Sequence, residues 1–167
     1  MTIEVLVTRK IRDLVQDAAE DALSASQRGV SRVTRGELWS FDVDGDEGAD
    51  VVRGILEGTT LVVNPNVHRY SFGSWRDVAA GERRLLIRVA DEFDARGAAV
   101  LRAVRDRCGI GAVRGVQRSV LWAIDLEATD PEAANRLGEE ITGGNDAGAG
   151  LLANRHAQDV AWEVVTN

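Results

Sequence analysis

Nucleophilic catalysis needs a thiol or hydroxyl with a base within hydrogen-bond reach, and this chain brings one cysteine and two histidines to that task. Cys108 closes the segment Val104-Arg105-Asp106-Arg107-Cys108. Near the expected end of a helix it reads as a small buried apolar residue rather than a nucleophile. Its candidate bases are His68 and His156, which stand four and two residues after Asn64 and Asn154 and so occupy inequivalent places. No spacing of Cys, His, Asp and Glu matches a metal site. The glycine-rich run from Thr142 to Gly150 lacks the Gly-x-x-x-x-Gly-Lys-Ser/Thr pattern of a phosphate loop and contains no lysine. It reads as a surface loop able to order against a partner chain. The expectation is no catalytic residue, no cofactor-binding residue and no metal ligand.

What recurs in the chain is polar and aromatic. Asn64 follows the apolar triplet Leu61-Val62-Val63, and Asn154 follows Leu151-Leu152-Ala153. Asparagine at such a place caps a turn, with contact to a partner or nucleotide as the sharper alternative, and Pro65 stiffens the first of the two turns. Trp39 and Trp122 hold equivalent places in Leu38-Trp39-Ser40-Phe41-Asp42-Val43 and Leu121-Trp122-Ala123-Ile124-Asp125-Leu126. Their rings are expected against helices or across a pseudo-twofold interface, the alternative being a platform for stacking a base. Asp42 and Asp125 alternate with apolar neighbours and so point outward, where they could meet a partner's arginines.

The elements that carry these residues come twice. Ile3 to Thr8 reads as a strand, and Asp13 to Leu23 as a helix with apolar residues at 14, 18, 22 and 15, 19, 23. A strand at 38–43 follows. Asp44 and Glu47 then have capping-box spacing before a helix with Val52, Ile55 and Leu56 on one face. A last strand covers Arg69 to Phe72. The second half repeats the order: strand 84–89, helix 94–108, strand 121–126, a helix begun by Thr129-Asp130-Pro131-Glu132 with Ala134, Leu137 and Ile141 as its stripe, and strand 160–165. One further strand per half is expected at Val30 to Thr34 and Ala112 to Val116. Self-similarity in both order and motif argues for duplication. The fold class is thus α+β, two tandem ferredoxin-like units of β-α-β-β-α-β type related by a pseudo-twofold. Their bounds are 1–73 and 83–167, with 74–82 as linker. Units this small have thin cores, and two in one chain can cover each other.

Composition narrows the function classes. The net charge of −7 argues against nucleic-acid binding, and no apolar run approaches the roughly 18 residues of a membrane span. A lone cysteine fits a reducing compartment, and the N-terminus reads straight into a strand with no signal sequence. A cytoplasmic protein is expected.

The ending of each half resembles the PurS family, the small subunit of bacterial formylglycinamidine ribonucleotide synthase. The residues that carry the resemblance are Leu61-Val62-Val63-Asn64-Pro65 and Leu151-Leu152-Ala153-Asn154, each ahead of a final strand, together with Val30-Ser31-Arg32-Val33 leading to Gly36. Two such units in tandem are similar to the N-terminal, PurS-dimer-like domain of the large single-chain enzyme. The resemblance implies a non-catalytic structural subunit in purine biosynthesis, bridging a PurQ-like glutaminase and a PurL-like ATP-dependent synthetase. Gly36, Asn64, Pro65, Asn154, Trp39 and Trp122 are the candidate partner contacts, and the duplication, in which one chain replaces a dimer, suggests a monomer or homodimer when alone. The chain departs from the family at Gly36-Glu37, where Gly-Lys is usual, at Arg155 in place of proline, and in the 142–150 insertion. Two alternatives are an accessory protein of another amide- or amidine-forming enzyme and a small-molecule-binding regulator; an independent enzyme ranks last.

Overall fold

The computed structural model describes residues 1–26, 29–79, 81–127, 131–143, 151–153 and 157–166. Its elements are β1 (Thr2–Arg9), α1 (Leu14–Ser26), β2 (Val30–Val43), α2 (Gly48–Gly58), β3 (His68–Phe72), β4 (Arg83–Asp91), α3 (Ala95–Asp106), β5 (Val113–Leu126), α4 (Pro131–Ile141) and β6 (Gln158–Thr166). The fold is α+β, the described residues forming four helices and a six-stranded antiparallel sheet of order β3-β1-β2-β5-β4-β6. Among the described residues no helix is long and apolar enough to cross a membrane.

The extra strands expected at 30–34 and 112–116 are not separate elements. They form the first halves of β2 and β5, each a single strand of 14 residues. The correction has a local cause: nothing between Thr34 and Leu38 turns the chain, and Gly36 lies buried within β2. At the same point the backbone N–H of Arg35 donates to Gln16 Oε1 at 2.9 Å, and that of Arg118 donates to Asp94 Oδ2 at 2.5 Å. A helix start therefore satisfies the amide in mid-strand, and the strand runs on.

The compact units are not the two sequence halves. One comprises Met1–Arg12, Gly36–Ser74 and Phe93–Ser119; the other comprises Asp13–Arg35, Trp75–Glu92 and Val120–Asn167. The first thus holds β1, β3, α2, α3, the end of β2 and the start of β5. The second holds β4, β6, α1, α4, the start of β2 and the end of β5.

In the first unit the period-two pattern sends Val5 and Val7 of β1 and Trp39, Phe41 and Val43 of β2 to one sheet face. There they meet Val52, Ile55 and Leu56 of α2 and Val100 and Val104 of α3. Leu6 and Leu38, paired in register across β1 and β2, are buried on the other face. In the second unit, Leu85, Ile87 and Val89 of β4 and Trp122, Ile124 and Leu126 of β5 pack with Ala19 and Leu23 of α1 and Ala134, Leu137 and Ile141 of α4. The helical stripes expected on α2 and α4 are the buried ones. On α1 only the later turns are buried, for Leu14 and Val15 are 69% and 56% exposed.

The capping box expected before α2 does not form. Glu47 holds the N-cap position without a side-chain hydrogen bond, and Asp44 instead pairs with Arg114 of β5. A full guanidinium charge within reach outcompetes a backbone amide for that carboxylate. The cap expected from Thr129 and Asp130 lies outside the described residues.

Candidate functional site

Four segments of the first unit converge on a groove of about 880 Å³. β1 supplies its continuation, Lys10. α2 supplies its last turn and the Thr59-Thr60 exit. The turn after Val63 brings Pro65 and the start of β3, with His68, Arg69 and Tyr70. The end of α3 brings Arg107 and Cys108. Leu56, Leu61 and Val63 give it an apolar lining.

Asn64 builds one wall. Its side-chain Oδ1 accepts from the N–H of Asn66 at 3.1 Å, and its backbone carbonyl accepts from Val67 and His68. This is the turn-capping role expected of it. The Asn64 N–H donates to His68 Nδ1 at 3.3 Å, which leaves Nε2 of that ring to carry its proton. Lys10 ties the turn to β1, its backbone N–H donating to Val67 O at 2.8 Å and its Nζ to Pro65 O at 2.6 Å. The register pairing Arg9 with His68 makes this possible.

Further along β3, Tyr70 donates its phenol to Glu57 Oε1 at 2.7 Å. That bond holds the phenol's pKa above its ordinary value, with slight burial and the Glu57 charge adding to it and Arg53 opposing. Cys108 is exposed, contrary to the buried apolar role expected of it. α3 ends at Asp106, two residues short of it, so the cysteine falls off the helical stripe that Val100 and Val104 define.

The other expected contacts lie elsewhere. Gly36 is buried in β2. Trp39 is 0% exposed and Trp122 is 4% exposed, so neither ring offers a stacking platform. Each is covered by a guanidinium, Arg96 Cζ at 5.4 Å from the Trp39 centroid and Arg35 Cζ at 5.6 Å from that of Trp122. Asn64 and Pro65 are exposed. Asn154, His156 and most of the glycine-rich insertion lie outside the described residues. Of the recurring aspartates, Asp42 is exposed at 3.8 Å from the N-terminal ammonium, and Asp125 pairs with Arg84 at 2.6 Å.

Two polar clusters fasten helices to the long strands. In the second unit Asp13, just before α1, accepts from Val15 N–H at 3.1 Å and from Arg35 Nη1 at 3.0 Å. In the first, Asp94 caps α3 through the Gly97 N–H at 2.8 Å and also takes the Arg118 amide. Arg35 and Arg118 each stand four residues before a tryptophan. Glu37 completes the first cluster, with Arg118 Nη2 at 2.8 Å, Arg96 Nη1 at 3.1 Å and Trp39 Nε1 at 3.2 Å. Burial alone would raise the Glu37 carboxyl; Arg118, Arg96 and the indole N–H outweigh it and hold the pKa below the ordinary value. Asp13 is likewise lowered, with Arg35 and two backbone amides overcoming its burial.

Sequence reasoning missed the groove and both clusters. The equal Arg-to-Trp spacing was a signal for the clusters; the groove has none, since strand register alone joins Lys10 to residues 65–70. Among the described residues no group of three or more His, Cys, Asp and Glu is placed to hold a metal ion. No protein-family model matches the chain, and no curated protein matches it at a significant level.

Proposed function

We propose that the chain is a PurS-like scaffold made of two tandem ferredoxin-like repeats, which bridges a PurQ-like glutaminase and a PurL-like synthetase in making formylglycinamidine ribonucleotide. The observation that carries the reading is the repeated clamp. In each half a side chain at a helix start, Gln16 or Asp94, accepts from the backbone N–H of an arginine, Arg35 or Arg118, that stands four residues before a tryptophan in a 14-residue strand. Arginine amides at corresponding places, each taken up by a helix start, support a duplication. Each compact unit also draws on both halves, as expected of two PurS-like repeats fused into one chain.

Exposed features supply docking surface: the Asn64-Pro65 turn, and Leu14 and Val15 on the first turn of α1. Exposed apolar side chains at a helix start suit a partner's groove. Glu37, where the family's lysine would stand, is committed to Arg118 and Arg96, so partner recognition falls to other residues in this chain.

The test mixes the purified chain with the synthetase and glutaminase of the same organism, in the presence of glutamine and ADP. Size-exclusion chromatography with light scattering is expected to show a ternary complex, with glutamine-dependent amidine formation that requires the chain. Unchanged activity and no complex would remove the purine assignment.

A further inference from the structure

We infer that the outer edge of β6 is a docking surface for a second copy of this chain, the two β6 strands pairing antiparallel about a twofold axis at Trp162. β6 stands at one end of the strand order and pairs on its inner side with β4, residue for residue from Gln158 to Thr166. From Asp159 to Thr166 its outward-facing N–H and C=O groups find no partner among the described residues. Proteins guard such an edge by keeping it short, by a bulge, by proline or lysine, or by an unmatched charge. β6 is nine residues long, its register with β4 is unbroken, and it holds neither proline nor lysine. Its mid-strand charge, Glu163, is matched by Arg76, with Nη2 2.7 Å from Oε1 and Nη1 2.9 Å from Oε2. The strand at the other end of the order, β3, is five residues long and so guarded by its shortness.

The strand that fits this edge is β6 itself. A twofold axis between antiparallel strands stands perpendicular to the sheet, so one residue must face its own copy and every side chain keeps its face. Centred on Trp162, the pairing overlaps all nine residues of β6. It sets Val160 against Val164, Ala161 against Glu163 and Asp159 against Val165 of the other copy, with no like charges directly opposite. The neighbouring centres fail: on Ala161, Asp159 would face Glu163, and on Glu163 that carboxylate would face itself. The two acids therefore select one register where the apolar pattern alone would allow several. On the helix-bearing face, Val160, Trp162 and Val164 pack on the core of the second unit yet stay half-buried. The pairing puts the two Trp162 rings side by side across the axis, flanked by the valines, and covers what the single chain leaves open. An extended segment of another protein could take the same hydrogen bonds, but the spacing of Asp159 and Glu163 about Trp162 fits a twofold.

The test uses this chain alone, so its outcome is independent of the scaffold reading. Size-exclusion chromatography with light scattering over a dilution series is expected to show a dimer that dissociates on dilution. Hydrogen exchange of the β6 amides should slow as the dimer forms. Ala161→Glu sets a carboxylate against Glu163 of the other copy on both sides of the axis, and is expected to raise the dissociation constant roughly tenfold. Ala161 is exposed and lies opposite Arg88 of β4 within its own chain, so circular dichroism should show the variant folded. Adding Glu163→Ala restores a carboxylate facing an alanine, and this double variant should dimerise like the parent. Ser71→Glu, at an exposed position of β3, serves as the control and should leave the dimer intact. The proposal is overturned by a chain that stays monomeric at every concentration, by a dimer that Ala161→Glu does not weaken, by a double variant that fails to recover it, or by a dimer lost through Ser71→Glu.

Discussion

Glu37→Gln keeps the shape of the side chain and removes its charge, leaving Arg118 and Arg96 to face a neutral amide. Hydrogen bonds to charged groups contribute about 1.5–3 kcal/mol when partly buried, and the side chains of Glu37 and Arg118 are 21% and 17% exposed. A loss of about 2 kcal/mol in unfolding free energy is expected for the variant. The Arg76–Glu163 pair has side chains 62% and 43% exposed, so the same change there should move stability by less than about 1 kcal/mol. The pH dependence carries the sign. Because the native Glu37 pKa lies below the ordinary 4.5, its stabilisation is complete above that value and drains away as pH falls through the lowered one. Asp13 adds to the same loss, from an ordinary value of 3.8. Urea midpoints of parent and Glu37→Gln measured from pH 7 down to pH 3 should therefore converge on the acid side. Parallel curves would show that the charge of Glu37 does not stabilise the fold. At this scale the sequence showed only part of the truth: Gly36-Glu37 was visible as a departure from the pattern that the sequence otherwise resembles, but the partners of Glu37 come from residues 59 and 81 positions away.

At the scale of elements, α4 rests on β6 through a missing side chain. A Cβ on Gly138 would sit 2.8 Å from Cδ2 and Cε3 of Trp162, closer than such contacts occur in well-packed interiors, and an indole ring cannot fold out of the way as a flexible chain end does. Gly138→Ala is expected to destabilise by about 1–3 kcal/mol, despite the gain in helix propensity of roughly 1 kcal/mol that alanine brings. Thermal unfolding decides the matter, and a raised midpoint would mean that α4 moves off the sheet freely. Gly97 faces a harder obstacle, since its added Cβ would meet the Asp94 carboxylate and the backbone carbonyl of Val116. The stripes Val52-Ile55-Leu56 and Ala134-Leu137-Ile141 were legible because helical spacing is a local property, and both are buried. The lengths of β2 and β5 were not legible: a reader of sequence breaks a strand at Gly36, whereas helix-start side chains carry its backbone through. Cys108 failed for a related reason, as the helix ends two residues early and burial cannot be read from a stripe that has stopped.

At the scale of the whole molecule, the two compact units cross the sequence halves, and this has a consequence for any attempt to cut the chain. The core of the first unit needs Val100, Val104, Val113 and Val116 from the second half. The core of the second needs Ala19, Leu23 and Val33 from the first. A fragment ending at Gly73 therefore keeps β1, β2, α2 and β3 but loses α3, which covers part of their apolar face, while its own α1 has lost the strands and the helix it packs with. Burying a valine side chain contributes about 1.5–3 kcal/mol, so losing four of them from one core exceeds what a fragment of this size can spare. Fragment 1–73 alone is expected to be either an unfolded monomer or a dimer, in which each copy supplies to the other what the second half supplies in the intact chain. Mixing it with fragment 83–167 should restore a folded one-to-one species, read by light scattering and by the recovery of near-ultraviolet circular dichroism from the buried Trp39 and Trp122. A fragment 1–73 that unfolds cooperatively as a monomer would place all the contacts it needs within one half, and the reading of the chain as two interdependent repeats would fall with it.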